Sequence, residues 1–198
     1  MTDTAHPQRV GRILRMAMEE VLGDEGLQNV LEACRQPCNE HKQSWGLFPI
    51  SPYMTSLEDV YGVQAGRGLA LRVGRACFPY GLREYGESLG LMQTSFRLLP
   101  FPRKLRTLSE ALNSLLHECA GQQLTMEEAG GKVLWHLEGC PICQHRHTSE
   151  PACQLTVGLA EEALYWLSGG KMFEIEESAC IARGDPRCTL QIDPAPLF

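Results

Sequence analysis

Three features of the chain predict an α+β fold, with N-terminal helices followed by a small antiparallel sheet packed with helices and a zinc-bearing C-terminal half. Apolar residues recur at helical spacing through the first two thirds. Polar and apolar residues alternate in short runs near the C-terminus, and five of the nine cysteines fall in the last third. With 198 residues, 43% hydrophobic and 21% charged, the chain is large and apolar enough for a packed core. Its net charge of -6 argues against nucleic acid as a partner, because phosphate binding needs a basic face. No apolar run approaches the ~18–20 residues that span a bilayer. Met1 to Gln8 is polar and lacks the apolar core of a secretory signal, so a cytoplasmic protein without a membrane span is expected.

The elements follow in order. Val10, Ile13, Leu14, Ala17, Met18, Val21 and Leu22 keep i, i+3, i+4, i+7 spacing and predict an amphipathic helix stopped at Gly23. A second helix is expected from Glu25 to about Cys34, ended near Pro37, and a loop from Ser44 to Pro52. Ser56 suits an N-cap ahead of Leu57, with the segment Gly62 to Gly90 helical beyond it. Gly66, Gly68 and Gly74 there imply close approach of another backbone, and Pro79 a break or kink. These glycines are not a dinucleotide fingerprint, since no strand precedes them and the spacing is wrong. Leu105 to Gln122 is a third strong helix, and Lys132 to Leu137 a strand. Gln154 to Ser168 is a helix closed by Gly169-Gly170. Lys171 to Glu176 and Arg187 to Ile192 are two strands joined at Gly184-Asp185-Pro186. The expected organisation is a helical extension over residues 1–55 and a ligand-binding domain over 56–198.

In a reducing compartment, clustered cysteines are metal ligands or redox groups. The hairpin brings Cys180 close to Cys188, with Glu177 near the same strand end. The helix that starts after Cys153 returns the chain to the hairpin, so these four side chains can close a tetrahedral zinc shell. Three thiolates and a carboxylate around a divalent ion leave a charge near −2, which Arg183 and Arg187 in the turn can offset. Cys140-Pro-Ile-Cys143 adds a CxxC knuckle, followed by His145 and His147. Donors therefore exceed four: Cys140 or Cys143 could replace Glu177, or the two could form a redox pair.

Gly158-Leu-Ala-Glu-Glu-Ala-Leu-Tyr-Trp-Leu-Ser-Gly-Gly-Lys171 and Glu176-Glu-Ser-Ala-Cys-Ile-Ala-Arg-Gly-Asp-Pro-Arg-Cys188, with Glu150-Pro-Ala-Cys153 upstream, resemble the C-terminal half of the 4-vinyl reductase domain family. Gly68 to Ala76 and Tyr80 to Arg83 resemble its earlier glycine-arginine helix. The likeness runs from about Leu57 to Ile192. It implies a small-ligand-binding domain, a homodimer, and a structural zinc held by Cys153, Glu177, Cys180 and Cys188 beside a buried aromatic pocket. Glu-x-x-Cys favours Glu177 over Glu176.

Pocket-lining candidates are Trp135, Phe78, Tyr80, Phe96 and His117, with the pocket expected between the Gly62 to Gly90 segment and the strand carrying Trp135. The leading expectation is a zinc-containing domain that binds a small hydrophobic or aromatic molecule as sensor or carrier. The alternatives are a chlorophyll-pathway 4-vinyl reductase or tetrapyrrole carrier, and a protein-interaction scaffold. No nicotinamide or flavin fingerprint, Ser/His/Asp arrangement or phosphate loop marks an enzyme acting on its own. The homodimer expectation rests also on the Val10, Ile13, Leu14, Ala17 and Val21 stripe.

Overall fold

The computed structural model describes residues 5–35, 50–120 and 122–197. Helix α1, Ala5–Arg35, is helical on both sides of Gly23, whose φ of 70 and ψ of 172 break it where the sequence pattern stops. Ile13, Leu14, Ala17 and Met18 before the break, and Leu27 and Val30 after it, are buried in the common core. The stripe offered for self-association is thus covered by the chain itself, against α2 and α3.

Helix α2 is Ser51–Tyr61, with Pro52 in its first turn. Ser56 does not cap it. It lies mid-helix and buried, because the helix starts five residues earlier than its capping signature suggests. The first part of the expected Ser44 to Pro52 loop, residues 44–49, lies outside the described residues, as does Cys38.

Helix α3, Val63–Tyr85, continues through Pro79 without ending there. Its glycines have different roles. A Cβ on Gly66 would stand 2.6 Å from the Leu57 carbonyl oxygen of α2, whereas one on Gly68 meets nothing within 4 Å. Gly74 lies against the Leu155 carbonyl of α6, Gln154–Ser168, and Gly158 of α6 lies reciprocally against the Leu71 carbonyl of α3. The two helices therefore cross backbone to backbone, a contact that any Cβ at either position would force apart. Short α4, Thr94–Arg97, and the longer α5, Phe101–Ala120, complete the helical layer before the sheet.

The sheet has four antiparallel strands in the order β1-β2-β4-β3: β1 Gln123–Ala129, β2 Lys132–Glu138, β3 Phe173–Ala179 and β4 Cys188–Pro196. The sequence reading lacks β1, because its exposed Glu127 and Glu128 break the alternation. Gly130 and Gly131, at φ 60 and 78, supply the two left-handed positions of a tight hairpin, with Ala129 facing Lys132. Val133, Trp135, Leu137, Leu190 and Ile192 make the buried face, and Met126, Trp135 and Leu190 lie in register across it. Helix α5 packs on β1, and Phe101 stacks on Phe173 at 5.1 Å. A fully packed face of this kind stabilises mainly by removing apolar area from water, at about 25 cal/mol per Å².

Candidate metal centre

One end of the sheet collects the cysteines. Leu137 pairs with Cys188, so the chain leaving β2 emerges beside the start of β4. It turns at once through Gly139 into Cys140-Pro-Ile-Cys143, where the Cys143 amide bonds the Cys140 carbonyl at 3.2 Å. The β3–β4 hairpin places Cys180 opposite Cys188 across a single 3-10 turn, Ile181–Arg183. Cys153 stands at the N-cap of α6. Five cysteines from four separate stretches thus converge, each at most 1% exposed.

Their sulfurs are crowded. Sγ of Cys143 lies 3.0 Å from Cys153, 3.4 Å from Cys180 and 3.6 Å from Cys188, while Cys153 lies 3.5 Å from both Cys140 and Cys188. A disulfide needs ~2.05 Å, so these are separate thiols. Four thiolates about 2.3 Å from one ion would stand roughly 3.8 Å apart at the corners of a tetrahedron. The observed edges fit that scale. A polynuclear iron–sulfur cluster, in which each iron takes its own thiolate, holds its cysteine sulfurs farther apart. One donor atom each from Cys143, Cys153, Glu177, Cys180 and Cys188 lies within 4.8 Å of all the others.

Backbone amides point at the same sulfurs. Ala152 N donates to Cys180 Sγ at 3.4 Å and Ile181 N to Cys188 Sγ at 3.3 Å, contacts that favour thiolate over thiol. Asp185 Oδ2 accepts from the Cys180 amide at 2.8 Å and from Arg183, which fixes the turn. Those bonds hold the Asp185 carboxyl below its ordinary range, the Cys180 amide first and the Arg183 guanidinium second. Among the sulfurs themselves, hydrogen bonds from Cys140 and then Cys153 hold Cys143 well below the usual thiol range, while the same crowding pushes Cys153 well above it. Five buried donors at this spacing could hold a metal ion among them.

Glu177 sits behind this group, 7% exposed. Its Oε2 accepts from the Cys153 amide at 2.7 Å, and its Oε1 has no hydrogen-bond partner. Burial pushes its carboxyl up to about 8, against the pull of the Cys153 amide. The expected quartet of Cys153, Glu177, Cys180 and Cys188 therefore stands together, with Cys143 as a fifth member and Cys140 in contact with it. Arg187 Nη2 stands 3.4 Å from His136 Nε2.

The expected pocket residues are dispersed. Trp135 is 2% exposed inside the sheet face, its Nε1 without a partner. Phe78 and Phe96 pack on Trp166 at 5.8 and 5.9 Å. Tyr80 donates its hydroxyl to Glu20 at 2.8 Å, and His117 is exposed. Among the described residues, two crevices lie between α5 and the sheet. A crevice of about 520 Å³ is lined by Arg106, Ser109, Asn113, Leu124, Met126 and Glu128, and one of about 270 Å³ adjoins it at Met126 and Glu128. This crevice has no signal in the sequence reading, because one wall is the unrecognised strand β1.

No family profile and no curated protein matches this sequence. Solved structures do share its fold. An H-NOX protein from S. oneidensis in the Fe(II)NO ligation state aligns with a TM-score of 0.60 at 9% identity, over 94% of this chain and 98% of that one. Fe(II) unliganded H-NOX from K. algicida gives 0.58 at 12% identity over 95% and 98%. An H-NOX from Shewanella woodyi in the Fe(II)CO state gives 0.53 at 16% identity over 94% of each. The α+β architecture is thereby shown to be that of H-NOX proteins.

Two expectations are corrected. The 4-vinyl reductase resemblance gives way, since the structural neighbours are H-NOX proteins and no family profile supports the other assignment. The local motifs that carried it describe a helix, a hairpin and their cysteines, which are too little chain to fix a family. The zinc assignment gives way too: the neighbours are Fe(II) proteins, and a set of thiols does not by itself name its metal. The iron of the neighbours finds no seat in the α5 crevices of this chain. Neither is lined by histidine or cysteine, and their one soft donor, Met126, sits 3.3 Å from the Ser109 hydroxyl.

Proposed function

We propose that this chain is a small-molecule-responsive domain of H-NOX fold built around one thiophilic metal ion at the cysteine cluster. The observation that carries the reading is the group of five buried donors, Cys143, Cys153, Glu177, Cys180 and Cys188, all within 4.8 Å of one another. The inner shell is sulfur. Glu177 has one oxygen fixed on the Cys153 amide and acts by orienting that cysteine. A closed four-sulfur shell has no open position, so the ion holds structure and does not bind substrate. The small molecule is taken at the crevice between α5 and β1, where Arg106 and Asn113 offer polar anchors beside Leu124 and Met126.

The test is elemental analysis of the purified chain across the first-row transition metals, with no chelator at any step. One ion per chain, lost in Cys153→Ser, supports the reading. A metal-free chain that keeps its fold overturns it.

A further inference from the structure

A closed tetrahedral shell takes four ligands, and this cluster holds five buried thiols. Four of the sulfurs form a compact set. Cys143 Sγ contacts those of Cys153, Cys180 and Cys188, and Cys153 also contacts Cys188. All four belong to the group whose donors lie within 4.8 Å of one another, and Cys140 does not. Its Sγ nevertheless stands 3.5 Å from Cys153 Sγ. Cys153 is thus the joint between the compact set and the thiol left over. That surplus thiol lies just under the surface. Cys140 is 1% exposed, but Gly139 before it and Gln144 and His145 beyond the knuckle are exposed, and Pro141 is half-buried.

We propose that Cys140 is a site of reversible oxidation, which a hydroperoxide converts to a disulfide with Cys153. The inference rests on the metal-centre reading, because the ion is what sets Cys140 apart from the other four thiols. A bound thiolate shares a lone pair with its ion, whereas Cys140 keeps its own for attack. Cys140 sulfur attacks one peroxide oxygen, the O–O bond breaks, and the thiol proton leaves with the other oxygen as water. The product is a sulfenic acid on Cys140. Cys153 sulfur then attacks the Cys140 sulfur, the S–O bond breaks, and hydroxide leaves to be protonated by solvent. Two electrons pass from the two sulfurs to the peroxide. The sulfurs close from 3.5 Å to the ~2.05 Å of a disulfide. The ion then keeps only Cys143, Cys180 and Cys188 of its four sulfurs, so oxidation loosens it, and a dithiol restores the shell.

The test treats the purified chain, with the metal it carries, with hydrogen peroxide near neutral pH. Remaining thiols are alkylated, peptides are mapped without reduction, and released metal is followed with a colour-forming chelator. The expected first disulfide joins Cys140 to Cys153, appears in step with loss of the ion, and is reversed by dithiothreitol. A first disulfide between Cys140 and Cys143, or one that omits Cys140, overturns the inference.

Cys140→Ser gives a second reading. The same peroxide should release its ion at least about tenfold more slowly, since the unbound thiol is gone. Release at the unaltered rate overturns the inference. Far-UV circular dichroism checks that the variant is folded, and if it is not, the peptide map of the unaltered chain decides alone. A chain that holds no ion before treatment defeats the metal-centre reading. The map still reports separately, where a Cys140–Cys153 link supports the oxidation site and any other link overturns it.

Discussion

Cysteine behaves in two ways in this chain, and its surroundings decide which. Cys77 is buried on α3 among apolar neighbours, and that burial pushes its thiol up to about 12. Thiolate is the reactive form, so Cys77 should resist iodoacetamide at pH 8 in the native chain and react once urea unfolds it, as peptide mass mapping would show. Rapid native labelling of Cys77 would contradict its burial. At the cysteine cluster the donors are polar and convergent, and Glu177 marks their edge. Glu177→Gln keeps a carbonyl oxygen to accept the Cys153 amide while removing the charge. The variant should therefore retain one metal ion per chain by elemental analysis. Loss of the ion would make Glu177 an inner ligand, as the sequence spacing suggested.

At the level of elements, the crossing of α3 and α6 is the tightest joint in the fold. Gly74 and Gly158 each face a carbonyl of the other helix, so a methyl at either position separates the pair along its length. Gly74→Ala or Gly158→Ala should destabilise by about 3 kcal/mol or more, since overpacking against backbone leaves no flexible side chain to yield. Gly68, one and a half turns earlier on α3, meets nothing within 4 Å. Gly68→Ala should stabilise by up to about 1 kcal/mol, the ordinary helix preference for alanine. Urea denaturation of the three variants measures both signs. The glycine-rich look of this segment announced close packing, yet the sequence does not show which glycine packs. That depends on where α6 returns.

For the whole molecule, the cysteine knuckle is fastened to the helical layer. Arg146, its side chain 5% exposed, reaches Glu58 of α2 at 2.7 Å and the Ala152 carbonyl at 3.3 Å. Arg67 of α3 also meets Glu58, at 3.4 Å, and pairs with Glu150 at 2.7 Å. The Ser51 amide and hydroxyl, opening α2, donate to the Pro141 and Gln144 carbonyls at 3.1 and 2.7 Å. On the proposed metal reading, a chelator should thus loosen α2 as well as the knuckle, raising amide hydrogen exchange over residues 51–57. Unchanged exchange there would mean that the strap holds without the ion. Arg146→Met should cost about 2–3 kcal/mol, less than a fully orphaned buried charge because Arg67 still neutralises Glu58. A double-mutant cycle with Glu58→Gln measures the coupling directly.

Local pattern was enough for the α+β class, the break at Gly23, the α6 helix with its glycine stop, and the β3–β4 hairpin. Each is governed by neighbours within a few residues. Spacing also placed Cys180, Cys188, Glu177 and Cys153 together, because a hairpin and one returning helix are short-range geometry. Local pattern missed β1, whose glutamates face solvent on a strand held by its partner β2, and it misplaced the start of α2. It could not show that Cys140 and Cys143 meet Cys153, since that contact depends on the register of β2 against β4. Nor could it show that Phe78 and Phe96 pack on Trp166. Fold membership belonged to the tertiary structure as well. The way helices and strands stack is set by contacts between distant residues, and many sequences with few identities satisfy those contacts equally well.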